Sequence, residues 1–469
     1  MSEVLRFRCP GCGSELETPE GTVSNRCRYC SLVWILGRPG RIVKRYYAPR
    51  LDLREARFIA DRHAKAERLR PFSEVELAQL FYVPYYRFRG LALSCHLKQK
   101  SEVMLSDINL EVRVPTFELR ARNLDLTIPA SAHDSFGMPS LGVRPQALPT
   151  YAYSDEEIPP EAVVMPADVP PDKGELLALR MNSAHFAGTH DRQACQFSET
   201  VGEGQTLIFF PLFVVSGTVG QRPLSLFIDG LSRRVYRELE ESWPVPHLTD
   251  SAEGITALKP EPHRCPNCGA DFAPSERSLF YSCDNCGRHY LLGPAGYRQI
   301  EPPQTAQGSG DLYPFWRLPL RFDLPRTVRT VGEFAKLLTA DIPLLARAKA
   351  DLPFFVYVPA FAGADAEWQV QTAVRTTRTQ PLVESCEASV TATPAVSLPP
   401  GEAREFATFA WNWLRMSYPN LRQDDFDFHA AQTGEPELLW LPLMDARLER
   451  SVERMREQRP AGRGLNARI

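Results

Sequence analysis

Apolar residues in this chain gather in short runs that mix aromatics with proline, and the runs recur in a fixed order. FYVPYYRFRGLAL (81–93) and DLYPFWRLPLRF (311–322) each place proline before an aromatic pair. LIFFPLFVVSG (207–217) and LPFFVYVPAFAG (352–363) follow them, and LLWLPLMDA (438–446) closes the series. Short runs of β-branched and aromatic residues predict strands. Proline removes a ladder donor, so these strands are expected at sheet edges or at bulges. TVGQRPLSLFIDGLSRRVY predicts a hairpin, with residues 219–222 as the turn, 224–228 as the return strand and Asp229-Gly230 as the next turn. WQVQTAVRTT, after a turn at 364–367, alternates as a half-buried strand does.

Helical periodicity is rarer. LREARFIADRHAKAERL (53–69) carries Ala56, Ile59, Ala60 and His63 on one stripe with basic residues around it. Thr330 and Glu333 form a capping-box pattern that opens VGEFAKLL. EAREFATFAWNWLRM (402–416) predicts an amphipathic helix, and RLERSVERMREQ (447–458) a polar terminal one. The expected class is α+β and sheet-rich. A length of 469 residues implies more than one domain, and the 41 prolines favour strands and turns over long helices.

Eight of the 11 cysteines form two clusters. CPGCGSELETPEGTVSNRCRYC holds Cys9, Cys12, Cys27 and Cys30, and CPNCGADFAPSERSLFYSCDNC holds Cys265, Cys268, Cys283 and Cys286. The two align without a gap, including Gly13 with Gly269. Four thiolates from paired Cys-x-x-Cys turns suit a tetrahedral Zn²⁺. A disulfide pairing fits the spacing poorly, and a rubredoxin-type iron site usually separates its knuckles further. The expected cofactors are two structural Zn²⁺ ions, with Leu16 and Phe272 beneath them and Trp34 and Tyr290 closing the exit strands. Four protein ligands leave no position for substrate.

Ribbon, aromatic-proline strand and apolar-proline strand occur in the same order twice, which reads as two tandem halves with an insertion in the first. The expected organisation is zinc ribbon 1 (1–45), a β-rich domain with an acidic, proline-rich insertion (46–250), zinc ribbon 2 (251–297), a β-rich domain with helices (298–446), and a polar helix with a basic tail (447–469).

The formal charge of −3 exerts no general pull on nucleic acid or an anionic membrane. The first 70 residues differ, with 15 Lys/Arg against 8 Asp/Glu. No secretory signal opens the chain, and the run from Thr206 is too short for a bilayer. Those features and the eight thiols imply a cytoplasmic protein. No phosphate-binding loop, nucleophile elbow or H-E-x-x-H motif is present. His185, His190, Asp191 and Cys195 have no shared helical phase, His133-Asp134 suits a polar loop, and Cys95, Cys195 and Cys386 suit small buried positions. The aromatic runs suit sheet core, with base stacking as the alternative.

Ribbon 1 followed by FYVPYYRFRG, the phrase MPSLGVRPQAL, and IFFPLFVVSG with its SLFIDGLSRRV return strand resemble a group of bacterial proteins carrying transcription-factor-B-type zinc ribbons. That resemblance implies action beside phage-shock-type or flotillin-like (SPFH) membrane proteins in envelope stress. The chain departs from that group in lacking a predicted membrane span and in doubling the ribbon. The leading expectation is a non-enzymatic adaptor that binds a protein partner and reaches a membrane only through it. The alternative is a nucleic-acid binder using Arg6, Arg8, Arg26, Arg28, Arg38 and Arg41 around ribbon 1. An enzyme of unrecognised type is the third reading.

Overall fold

Residues 4–68, 70–104, 110–132, 136–174, 177, 195–245, 255–301, 304–306, 311–321, 328–338, 350–363, 365–384, 394–416, 431–432 and 434–443 are described in the computed structural model. Helix accounts for 19% and strand for 43%, an α+β chain dominated by sheet. Two units emerge, each discontinuous in sequence. The first takes residues 1–89, 125–182 and 204–264, and the second takes 90–124, 183–203 and 265–469. These limits differ from the sequence boundaries because three long strands give residues to both units. Residues 183–194, His133, Asp134, Cys386 and the terminal segment from 444 lie outside the described residues.

In the first unit, β1 (Val4–Arg8), β2 (Glu15–Pro19), β3 (Ser24–Arg26), β4 (Val33–Ile35) and β5 (Ile42–Tyr46) precede helix α1 (Leu53–Arg68). The strands β6 (Glu74–Met104), β7 (Leu110–Pro129), β8 (Thr150–Ala152), β9 (Val163–Val164) and β10 (Cys195–Val219) follow. After them come β11 (Arg222–Asp229), β12 (Val235–Leu239), β13 (Ile255–Ala257) and β14 (Glu261–Pro262). The principal sheet runs β12-β11-β10-β5-β8-β1-β2, with β6 pairing β10, β7 and β9 and with β13 on β5.

Around β10 both faces of this sheet are buried. Leu207, Phe209, Phe213 and Val215 share one core with Tyr46, Tyr82 and Tyr86. Ile208, Phe210, Leu212 and Val214 share the other with Tyr47, Phe81, Val83 and Tyr85. Strands packed on both sides have no polar face to alternate, which explains the unbroken apolar runs. The hydroxyls of Tyr85 and Tyr86 donate at 2.8 Å to the carbonyls of Met138 and Val169 inside these cores. The aromatic runs are therefore core and not a base-stacking platform. Helix α1 rests on the first core through Ala56, Ala60 and Ala64, all fully buried. Ile59 is partly buried and packs against the same core, and partly buried His63 meets Glu238 at 3.0 Å.

The edge-strand expectation for proline is corrected at Pro211. β10 lies inside the sheet, and Pro211 falls where its pairing with β5 (through Phe209) ends and its pairing with β11 (from Leu212) begins. Its missing N–H thus falls between those two ladders. The predicted β10–β11 hairpin is present, with Val219 opposite Arg222 and Gly220 at φ +68°. Three phrases singled out in the sequence meet at its far end. Arg144 of MPSLGVRPQAL donates to buried Asp229 at 2.5 Å and lies over the Phe210 ring. Asp229 also accepts from the Leu231 and Ser232 amides, so this convergence is a turn lock.

A buried charge network ties β2 to the sheet. Arg87, with no exposed surface, makes a two-pronged contact with Asp125 at 2.7 and 2.5 Å and reaches Glu20 at 2.8 Å. Glu20 also meets Arg45 and, at 3.4 Å, Arg89. Replacing Arg87 with Leu takes the two-pronged partner from half-buried Asp125 and one of three arginines from buried Glu20. Urea denaturation is expected to show a loss of about 3–5 kcal/mol, and a loss below 1 kcal/mol would refute this role.

The second unit holds β15 (Phe280–Ser282), β16 (His289–Gly293), β17 (Gly296–Ile300), β18 (Gln304–Ala306), β19 (Leu312–Leu318) and β20 (Leu320–Arg321). The set ends with β21 (Val356–Pro359), β22 (Val383–Glu384), β23 (Ala431–Gln432) and β24 (Glu437–Pro442). Its largest sheet runs β21-β19-β24-β18-β22, so Pro314 too sits in an interior strand. The segment WQVQTAVRTT is not a strand. It lies in the helix Ala366–Thr379, capped by the Asp365 carboxylate accepting from Trp368 N at 2.7 Å. Ala366, Val370, Ala373 and Thr377 are buried at helical spacing, while Trp368, Val370 and Thr372 also satisfy a period of two. The cap decides between them. The Thr330–Glu333 box forms as expected, each side chain accepting from the other's amide at 3.2 and 3.1 Å.

Glu402, near the start of the helix Pro400–Met416, has its pKa pushed from the ordinary 4.5 to about 7 by burial and by the charge of Glu405. The folded chain then holds this proton to higher pH than the unfolded chain. Stability from this group is complete below about pH 4.5 and is lost as pH rises to about 7. Glu402→Gln should be more stable than the parent above pH 7, by up to about 3 kcal/mol, with the difference fading in acid. Thermal melts across that range test this, and a pH-independent difference would contradict it.

Candidate metal centres

Each cysteine cluster is built from two turns of the same kind. In the first, the amide of Cys9 donates to Ser14 O and the amide of Gly13 donates back to Cys9 O, both at 2.9 Å. The amides of Cys27 and Ser31 repeat this with Leu32 O and Cys27 O, at 2.8 and 2.9 Å. Cys265 and Gly269 repeat it with Ala270 O and Cys265 O, and Cys283 and Gly287 with Arg288 O and Cys283 O. The fifth residue of each turn must enter the left-handed region. Gly13, Gly269 and Gly287 do so at φ +74°, +75° and +67°, and Ser31 does so at +63°.

These turns bring four sulfurs together at each site, all within 4.8 Å of one another. Cys9 and Cys30 sulfurs lie 3.7 Å apart and Cys12 and Cys27 sulfurs 3.8 Å apart. In the second cluster the corresponding separations are 3.7 Å and 3.5 Å. A disulfide would need about 2.0 Å. Sulfurs placed 2.3 Å from a central ion at tetrahedral corners stand about 3.8 Å apart, so both clusters fit such an ion. The amides of Gly11 and Tyr29 point at the Cys9 and Cys27 sulfurs at 3.4 Å. Donors of this kind stabilise thiolates. The Ser14 hydroxyl pulls Cys12 down to about 6, and the Asn285 side chain does the same for Cys268.

The apolar support matches expectation. Leu16 and Trp34 join Leu5, Phe7 and Leu36 in a small core beneath the first cluster. Phe272 packs against Tyr281, Tyr290 and Tyr297 beneath the second. The completing strand was not foreseen. The second ribbon closes its own sheet with β17, which pairs β16. In the first ribbon the chain at the corresponding place continues as β5 into the large sheet, and β14 pairs β4 instead. Leu258 enters the first ribbon's core, and His263 N donates to Val33 O at 2.9 Å. Residues 255–264, assigned from the sequence to ribbon 2, thus complete ribbon 1. The cysteines mark where a ribbon starts but carry no signal for a strand supplied from over 200 residues away.

Of the six arginines singled out, three face carboxylates. Arg6 binds Glu17 at 2.7 Å and the Tyr151 hydroxyl, Arg8 binds Glu157 at 2.9 Å, and Arg38 binds Glu261 at 2.5 Å. Arg26, Arg28 and Arg41 are exposed, with Arg28 lying over the ring of Tyr29, itself 59% exposed. Cys195 and Cys95 lie apart from both clusters, with Cys95 buried. No protein-family model matches the chain, and no curated protein or solved structure matches it.

Ser31 holds the left-handed conformation at a cost of about 1–2 kcal/mol that the three glycines avoid. Ser31→Gly should raise the melting temperature of the metal-loaded protein, and Gly269→Val should lower it. An unchanged melt in both variants would show that these turns do not limit stability.

Proposed function

We propose that each tetra-cysteine cluster holds one structural Zn²⁺ and that the protein is a non-enzymatic adaptor. The convergence of four sulfurs at tetrahedral separations carries this reading, because a saturated thiolate shell leaves no site for substrate or water. Among the described residues, the two groups able to hold a metal are these two cysteine sets. Zinc then stabilises a small module and fixes the surfaces around it. The matching turns of the two clusters, at the same internal spacing, support an origin as two tandem halves. The thiols suit a reducing compartment such as the cytoplasm. The resemblance noted from the sequence would place the adaptor in a bacterial membrane-stress complex, contacting a protein partner there.

Nucleic-acid binding is the second reading and rests on Arg26, Arg28, Arg41 and exposed Tyr29. It is weakened by the carboxylates that occupy Arg6, Arg8 and Arg38. Four thiolates around a divalent ion also leave a net charge of about −2 for neighbouring arginines to offset. A salt-sensitive gel shift lost in an Arg26, Arg28 and Arg41 triple-Gln variant would favour this reading over the adaptor.

Elemental analysis of protein purified without added metal should find about two zinc atoms per chain, one of them lost in Cys12→Ser and the other in Cys268→Ser. Bound iron, with its visible absorption, would overturn the zinc assignment. On the adaptor reading, a stoichiometric partner purified from native cells should be released by chelation.

A further inference from the structure

Helix α1 carries a surface that neither the ribbons nor the cores use. Its alanine stripe, Ala56, Ala60 and Ala64, is fully buried against the sheet. The opposite pole is Phe58, 69% exposed, the most exposed aromatic side chain among the described residues. Arg54, Arg62 and Lys65 share that stripe at helical spacing and Arg57 flanks it, all four exposed. Among the described residues none of these four cations is in an ion pair.

The nearby acids are occupied elsewhere. Asp52 and Glu55 cap the helix start, each accepting from the other's amide at 2.7 and 3.1 Å. Glu55 also binds Arg233 at 2.6 Å, and Asp61 accepts from Phe72 N at 3.2 Å. Glu238 and Glu240 meet Arg68 at the far end of the helix, and Glu238 also meets His63. Glu67, in the C-terminal turn, is exposed.

We infer that the outer face of helix α1 is a docking surface for an anionic membrane, with Arg54, Arg57, Arg62 and Lys65 on headgroup phosphates and Phe58 in the interfacial layer. Four cations around one projecting aromatic ring match what such a layer offers, negative charge at its surface and hydrocarbon just beneath. A nucleic-acid backbone would reward the cations but give Phe58 nothing apolar to enter. The helix is already folded and packed, so binding costs little ordering. No described helix is long and apolar enough to cross a membrane, and this surface needs none. Direct attachment differs from attachment through a partner, and it stands whether or not the clusters hold zinc.

The experiment is co-sedimentation of the full-length protein with vesicles of phosphatidylcholine alone and of phosphatidylcholine with phosphatidylglycerol, at low and high salt. Binding is expected only to the anionic vesicles and to fall with salt. Phe58→Ala should weaken it roughly tenfold. Each Gln replacement of the four cations should cost roughly fivefold. All five side chains are exposed, so circular dichroism and melting temperature should not change. Equal binding to neutral vesicles, no vesicle binding, or full binding by Phe58→Ala would overturn the inference. Equal sensitivity of an RNA oligonucleotide to the four Gln changes, with vesicles unbound, would reassign the face to nucleic acid.

Discussion

Strand β10 carries apolar side chains on both faces, and the first unit is organised by the need to cover each of them. Leu207, Phe209, Phe213 and Val215 need one layer, and Ile208, Phe210, Leu212 and Val214 need another. Helix α1 helps to supply the first, approaching closely because its contact residues are alanines. The chain around Phe136, Met138, Leu141 and Trp243 supplies the second. With both sides dry, a buried polar group costs stability unless it is paired, and most but not all of those in the two cores are: among the described residues the Tyr82 hydroxyl has no hydrogen-bond partner. The hydroxyls of Tyr85 and Tyr86 end on carbonyls and Arg87 ends on two carboxylates.

The same constraint draws ribbon 1 into the sheet. β1 and β2 are the last strands of its path, β5 leaves the ribbon to lie beside β10, and Glu20 reaches back to Arg45, Arg87 and Arg89. A ribbon alone has little core, so these ties and the four-sulfur corner share the task of holding it. Ribbon 2 is built differently within its own unit. It closes on β17 and packs Phe280 at a tilt against Trp440 of the neighbouring sheet. Two clusters with the same turns are thus set in different surroundings. Their tips differ as well, Arg28-Tyr29 in one and Asp284-Asn285 in the other. One tip carries a cation where the other carries an anion.

The turn positions show how far local rules reach. Glycine at 13, 269 and 287 announces a left-handed residue, and the structure places one at each. Ser31 gives no such announcement, and its conformation follows from the turn hydrogen bonds that Cys27 makes. The arginines of ribbon 1 show the limit from the other side. Their number along the chain suggests a free basic patch, yet Glu157 and Glu261, distant in sequence, cancel two of them.

By itself the sequence determined whatever depends on neighbours a few residues apart. The four cysteines of each cluster, the glycine turns, the β10–β11 hairpin and the Thr330 capping box are all of this kind, because their geometry is set by short stretches of backbone. Only the tertiary structure decided the rest. Prolines 211 and 314 lie in interior strands, Pro211 at the point where the pairing of β10 passes from β5 to β11. WQVQTAVRTT is a helix because Asp365 caps it and a core accepts its helical face, although its pattern allowed either period. Residues 255–264 finish ribbon 1 because β4 offers them a strand edge and Leu258 a place in its core, and pairing across that separation is written in no local pattern.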